Sequence, residues 1–287
     1  MIPSVLITGS RGFIGSHLRE RLNGIGWEVL EWLEDIRLIT SFDKRVDIVF
    51  HLAARTKSSD FKRDLSEAFD TNISGTHAVL TYCKRSGATC IFLSTSAIYS
   101  MTDRLIDESS KLKPSNIYGI SKFTCENLCR QFGEYMEVPT VVLRLFNVYG
   151  EGQDSSFLVS YVIECLTAGK RIQLRMPEAE RDFIYVEDVV EVLLKVGKMK
   201  YLGFEIFNIG SGVSTRVIDF VRLAEKIFCK EADIDTSTIK TTERHKVIAD
   251  VRKAKNKLDW NIKYNLESGL QAMKKKMDRF LLENSVS

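Results

Sequence analysis

The sequence predicts an α/β protein: a doubly wound parallel sheet with helices on both faces, followed by a smaller, interleaved region. Three observations predict it. Short apolar runs rich in β-branched residues alternate with segments of helical period through the first 150 residues, the pattern of βαβ units. The first run passes through a glycine-rich turn directly into a helical segment, "LITGSRGFIGSHL". A chain of 287 residues with 44% hydrophobic content has enough apolar surface for a full-sized core and about two domains.

Taken in order, "SVLIT" at 4–8 is an apolar run closed by a glycine and reads as a buried strand. Apolar residues then recur at helical spacing over about 13–24, and strands follow at 28–32 and 47–52. A helix over about 66–86, a strand at 89–94, a helix over about 116–136 and a strand at 140–145 complete the regular part. Beyond Gly150 the rhythm loosens into a helix near 156–168, short strands near 172–174 and 204–207, a helix near 216–229 and a lysine-rich tail from Glu243. The rhythm divides the chain into a cofactor-type domain over 1–150, which the glycine turn and the resemblance given below make a dinucleotide-binding domain, and a smaller, interleaved region over 151–287, which the resemblance makes mainly substrate-binding, with segments near 182–210 returning to the first domain. "MKKKMDRF" at 273–280 has apolar neighbours at helical spacing and reads as a solvated helix face.

Acids (38) nearly balance bases (41), so the net charge of +3 argues against a nucleic-acid or membrane-surface partner. The six cysteines are scattered, and Cys125 and Cys129 have no histidine nearby in sequence. They read as reduced core thiols with no metal site. The first strand begins at Ser4, which leaves no basic and apolar leader, and no apolar run approaches membrane-spanning length. A cytoplasmic location is expected.

The turn after the first strand carries Gly9, Gly12 and Gly15. A strand, a tight glycine turn and a helix N-terminus together offer backbone N–H groups and a favourable dipole to a pyrophosphate. Side chains at those glycines would block the approach, so a dinucleotide is expected there. The acid that grips the adenosine ribose is harder to place, because "EVLEWLEDIRLI" offers Glu31, Glu34 and Asp35. Arg11 within the loop and Arg37 nearby are able to take a 2′-phosphate instead. NAD and NADP both stay open.

"YGISK" places Tyr118 and Lys122 four residues apart, one turn on the same face of a helix. Alone such a pair reads as a solvent-facing contact. The chain as a whole resembles the extended short-chain dehydrogenase/reductases of the NAD-dependent epimerase/dehydratase (nucleotide-sugar) family. The motifs run in order: "TGSRGFIG" at 8–15, "HLAA" at 51–54, "NISGT" at 72–76, "STSAIYS" at 94–100, "YGISK" at 118–122, "LRLFNVYG" at 143–150, "RDFIYVEDVV" at 181–190 and "FNIGSG" at 207–212.

The resemblance implies a Rossmann-type dinucleotide domain, with Tyr118, Lys122 and Ser96 as the catalytic group. A free phenol has a pKa near 10 and needs a neighbouring positive charge to serve as a base at neutral pH. Ser96, just past the apolar strand "CIFLST", stands where ligands of open α/β sheets bind, and Thr95 is the second candidate. The implied cofactor contacts are Gly9, Arg11, Gly12, Phe13, Ile14, Gly15, Asp35, Ile36, Leu52, Ala53, Ala54 and Asn72, together with Tyr118 and Lys122. His51, ending a buried strand, reads as a packing or backbone-bonding residue. The implied contacts to a nucleotide-diphosphate sugar are Ser96, Asn147, Arg181 and Arg244, the two arginines suiting bidentate bonds to a diphosphate. Family members carry a further polar anchor after "YG", for which this chain offers Ser155 and Ser156.

"TSAIY" places Ala97 and Ile98 where dehydratases and decarboxylases of the family carry acids, so water elimination lacks its proton carrier. The expected activity is hydride transfer at the hexose C4, with a 4-epimerase ahead of a 4-keto-6-deoxy sugar reductase and, last, a non-catalytic dinucleotide-binding regulator. NAD is expected ahead of NADP. The resemblance also implies a homodimer, formed through the helices near 66–86 and 116–136.

Overall fold

Strands with apolar residues on both sides need cover on both faces, and that cover comes from helices. A computed structural model describes residues 3–235 and 246–285. β1 (Ser4–Thr8) leads to α1 (Phe13–Gly24), β2 (Glu28–Trp32) and β3 (Ile48–His51). α2 (Ser58–Arg63) and α3 (Leu65–Ser86) precede β4 (Thr89–Thr95), and α4 (Ile117–Tyr135) precedes β5 (Thr140–Leu145). β6 (Asn147–Tyr149), α5 (Leu158–Thr167), β7 (Ile172–Gln173), β8 (Glu180–Arg181), β9 (Phe183–Tyr185) and α6 (Val186–Lys198) come next. They are followed by β10 (Phe204–Ile209), β11 (Thr215–Arg216), α7 (Val217–Phe228), β12 (Ile234–Asp235), β13 (Lys246–Val247), α8 (Arg252–Leu258) and α9 (Leu266–Ser285).

The main sheet has six strands in the order β10-β5-β4-β3-β1-β2, and every neighbouring pair is parallel. Alternation along β1 shows how the layers are built: Val5 and Ile7 face a core completed by α1, α6 and α8, whereas Leu6 faces a core completed by α3 and α4. A third apolar cluster joins α5, α7 and α9. The strand order reverses between β1 and β3. That switch point opens a crevice at the carboxyl ends of the strands, the usual ligand site of such sheets.

Two features go beyond the sequence reading. The stretch "VEDVVEVLLKVGK" is a helix, α6, although its valines suit a strand; it is buried on much of its surface, with Glu187, Glu191 and Lys195 at four-residue intervals on the outer side. The apolar residues of "AVLTYC" and those at Cys129 and Phe132 belong to the monomer's own core. Five cysteines are buried and free, and Cys229 is exposed. No helix among the described residues is long and apolar enough to cross a membrane.

A buried ionic group ties α4 to the sheet. Arg144 of β5 is 2% exposed and Glu126 of α4 is 4% exposed, and they form a forked pair with contacts of 2.7 Å and 3.1 Å. Arg144 also donates to the Tyr99 hydroxyl at 2.6 Å and to the Glu108 carbonyl at 3.1 Å. Tyr99 in turn donates to Asn208 of β10 at 2.7 Å. This network holds the segment that follows β4 against the sheet.

Candidate active site

At the switch point lies a cavity of about 910 Å³, large enough for a dinucleotide's reactive half and a second small molecule. Its floor is the glycine turn. Gly9 has φ +74°, and a Cβ there would come within 2.7 Å of the Ala53 nitrogen; a Cβ on Gly15 would lie 2.0 Å from the Gly9 carbonyl oxygen. Only glycine allows β1, the turn and the segment after β3 to pack this closely. Gly12 caps α1 without any side-chain hydrogen bond, so the helix N-terminus is open toward the cavity. A close backbone, an open helix end and a large crevice fit a dinucleotide pyrophosphate.

Gly9, Gly12, Phe13, Ile14, Gly15, Leu52 and Ala54 line the cavity on this side. Tyr118, Lys122, Ser96, Asn147 and Arg181 line it on the other. The remaining candidates lie elsewhere. Arg11 is exposed beside the turn, Ala53 packs beneath Gly9, and Asn72 is buried in α3. Ile36 is buried in the core behind β1, its side chain filling the space over Gly75. Asp35 caps the turn after β2 and is engaged by Arg37. Arg244 lies outside the described residues. Ser155 and Ser156 are absent from the wall, where Asp154, Phe157 and Leu158 stand instead.

The Arg37 guanidinium is bound by Asp35, Glu67 and Asp70 at 2.5–2.9 Å. These three carboxylates hold its pKa well above the ordinary value, and it has no bonding direction left for a 2′-phosphate. Glu31, at the end of β2, is met by Arg19 at 3.3 Å.

The catalytic candidates sit on α4 and at the end of β4. Asn116 caps α4 by accepting from the Gly119 nitrogen at 2.8 Å, which fixes the first turn that carries Tyr118. Lys122 is 4% exposed, with Nζ 4.0 Å from the centre of the Phe92 ring, and burial lowers its pKa. Burial pushes the Tyr118 phenol up to about 12, while the facing Thr95 side chain pulls it down. Of the two adjacent hydroxyls, the one that bears on the phenol is Thr95's. β4 runs on through Thr95, whose hydroxyl caps the short turn that Ser96 starts by accepting from the Ala97 nitrogen at 3.1 Å, and both hydroxyl residues line the cavity.

On the substrate side, Asn147 donates to the Asp182 carbonyl at 3.0 Å, which leaves its side-chain oxygen free to accept. Arg181 donates to the Glu180 carbonyl at 3.0 Å, and burial lowers its pKa. Asp182 faces away from the cavity, accepting from Ser211, Gly212 and Ala249. Lys57 and Asp154, which sequence reasoning passed over, pair at 2.5 Å although 97 residues apart. Both line the cavity, and no local pattern marks either one.

The cavity segment that bears Asp154 is anchored at Glu151. Lys276 of α9 donates to both Glu151 and Glu187, Tyr185 donates to Glu151 at 2.9 Å, and His17 lies 3.6 Å from Glu187. Burial disfavours the charged imidazole, but Glu187 and the Glu151 carbonyl outweigh it and raise the His17 pKa. A group whose pKa is raised on folding adds stability below its unfolded value and loses it as pH rises through the folded one. Wild-type protein should therefore lose unfolding free energy, relative to His17→Gln, as pH rises from about 6 to 8. Urea denaturation at several pH values checks the sign, and parallel curves would refute it.

Comparison with known proteins agrees with this architecture. The sequence model of the NAD dependent epimerase/dehydratase family matches residues 5–210. An uncharacterized UDP-glucose epimerase of Bacillus subtilis, YtcB, is 30% identical, over 93% of this chain and 95% of its own length. GDP-6-deoxy-D-mannose reductase of Pseudomonas aeruginosa is 26% identical, over 95% of this chain and 96% of its own. The solved UDP-glucose 4-epimerase of Thermotoga maritima, with UDP-glucose, superposes with a TM-score of 0.86 at 30% identity, over 97% of this chain and 99% of its own. The span that the family model matches, 5–210, covers the glycine turn, the Tyr118 helix and the strand that ends at Thr95, so this chain is an enzyme that belongs to the NAD dependent epimerase/dehydratase family.

Proposed function

We propose that the protein is a 4-epimerase of nucleoside diphosphate sugars, moving a hydride from and back to the hexose C4. The observation that carries hydride transfer is the cluster of Tyr118, Thr95 and Lys122 on a cavity whose only lining carboxylate among the described residues, Asp154, is tied to Lys57. In this reading Tyr118 takes the proton of a sugar hydroxyl and the Thr95 hydroxyl holds its oxygen, which both residues' position on the cavity wall supports. The glycine turn and the open end of α1 would hold a nicotinamide dinucleotide, which would supply a hydride acceptor and a positive ring that favours the Tyr118 phenolate. Arg181 suits the diphosphate, and the apolar wall of Phe157, Leu158 and Met176 suits the nucleoside.

Elimination of water needs a carboxylate beside the reacting carbons. With Thr95 as the working hydroxyl, the two following positions are Ser96 and Ala97, and neither can move a proton that way. Thr95→Val is expected to lower kcat about 100-fold and Ser96→Ala less than about tenfold. Steady-state kinetics of the two variants decides between the hydroxyls, and the reverse ranking would return the role to Ser96.

One observation favours a second reading, an NADPH-dependent reductase of 4-keto-6-deoxy sugars. Arg11 is exposed at the glycine turn and bears on the Glu31 carboxylate only through its charge, whereas Glu31 and Asp35 are paired with Arg19 and Arg37; an exposed guanidinium at this turn suits a 2′-phosphate. The deciding experiment identifies, by mass, any dinucleotide released on denaturation. It then follows absorbance at 340 nm while nucleotide sugars and 4-keto-6-deoxy derivatives are offered. Retained NAD and a changed sugar without net absorbance change support the epimerase. Stoichiometric loss of NADPH supports the reductase, and no turnover of either class sinks both.

A further inference from the structure

His51 closes β3 and is 1% exposed. Its ring lies 5.5 Å from that of Phe92, and burial lowers its pKa to about 3. It is therefore a neutral imidazole, and its bonding partners determine the tautomer. Nε2 lies 3.0 Å from the Thr76 hydroxyl, whose single proton goes to the Asn72 carbonyl at 2.6 Å. Nε2 must accordingly carry the ring proton and donate it to Thr76. Nδ1 is then an acceptor, and takes the proton of the Thr8 hydroxyl at 2.9 Å. The Thr8 oxygen in turn accepts from the Ala53 nitrogen at 3.3 Å.

The bonds run on in both directions. Thr8 is the last residue before Gly9, and Ala53 lies in the segment against which Gly9 packs. On the far side, the Asn72 side chain accepts from the Arg55 nitrogen at 2.7 Å and donates to the Arg55 carbonyl and the Ser121 hydroxyl, both at 3.0 Å. Ser121 donates to the Tyr118 carbonyl at 2.8 Å. Thr8, His51, Thr76, Asn72 and Ser121 are all at most 2% exposed. Each hydroxyl in this chain has one donor and one acceptor partner, so its direction is set throughout.

We propose that His51 is a positioning residue for the dinucleotide: as the Nε2–H tautomer it holds the glycine turn and the segment after β3 in register, and joins both to the helix that carries Tyr118. The proposal rests on the dinucleotide lying against those two segments. Without the ring, the Thr8 proton loses its acceptor, the Thr8 hydroxyl is no longer held in the direction that meets the Ala53 nitrogen, and the backbone bond from Leu52 to the Thr8 carbonyl is left to set the spacing between Gly9 and Ala53 on which backbone approach to a pyrophosphate depends.

Three variants separate the two halves of the bridge. His51→Asn places an oxygen near Nδ1 and keeps the bond from Thr8. His51→Gln places a nitrogen near Nε2 and keeps the bond to Thr76, and His51→Phe keeps neither. For NAD and NADPH measured by calorimetry on folded protein, Kd should rise about tenfold or more in the Phe and Gln variants and stay within about threefold in the Asn variant. A merely structural role would lower the melting temperatures and leave Kd alone, or weaken binding equally in all three. Either result overturns the proposal. In the wild type, nitrogen-15 NMR should show Nε2 protonated and Nδ1 bare from about pH 5 to 9; an Nδ1–H or doubly protonated ring would overturn it independently. A wild-type chain that binds neither dinucleotide would overturn the site reading itself and the proposal with it.

Discussion

Tyr118→Phe is expected to lower turnover about 1,000-fold while leaving dinucleotide Kd within about threefold of wild type. The substitution removes only the hydroxyl. The ring contact with Phe61, 6.2 Å between centres, stays, and so do the Asn116 cap and the buried Lys122. The phenol is held near pKa 12 by burial with Thr95 opposing it, so in the unliganded protein it is almost wholly protonated at neutral pH. Catalysis then depends on a proton that only this oxygen can exchange with the sugar. Rates measured with whichever nucleotide sugar turns over, beside calorimetric Kd, check both halves. Turnover within tenfold of wild type would remove Tyr118 from the proposed chemistry.

Glu126→Leu is expected to cost about 3–5 kcal/mol of stability, because it strands the Arg144 guanidinium in the core. Arg144 is 2% exposed and its remaining partners, the Tyr99 hydroxyl and the Glu108 carbonyl, are neutral. The double variant Glu126→Leu/Arg144→Met should recover most of that loss, since a buried pair replaced whole by apolar residues is close to neutral. Urea denaturation of the wild type, both single variants and the double variant closes the cycle. A single-variant loss below about 1 kcal/mol would show that water reaches the pair. Tyr99 and Asn116 both line the cavity, so the same variant should also raise KM.

How much of this was legible beforehand varies with the distance along the chain that each feature spans. "LITGSRGFIGSHL" is local: strand, turn and helix lie within thirteen consecutive residues, and the backbone approach that demands glycine is made there. Tyr118 and Lys122 are one helical turn apart, so their common face follows from periodicity. Thr95 and Ser96 are adjacent hydroxyls in the same motif. Only the folded arrangement makes the Thr95 hydroxyl the one that lowers the Tyr118 pKa. Arg37 looked free for a phosphate in one dimension, yet α3 folds Glu67 and Asp70 onto it. α6 was missed because its valines suit a strand, while the tertiary fold buries them on a helix.

By itself the sequence determined the parallel α/β architecture, the dinucleotide turn and the phenol–ammonium pair, because each follows from the period and spacing of neighbouring residues. The tertiary structure alone decided which hydroxyl bears on the Tyr118 pKa, that Arg37 is taken up by three carboxylates, and how Lys57 meets Asp154 at the cavity. It also decided that His51 bridges Thr8 and Thr76, which lie 43 and 25 residues away from it. These are contacts between residues far apart in the chain, and their energies depend on burial and on the filling of every donor and acceptor, quantities that no single stretch of sequence contains.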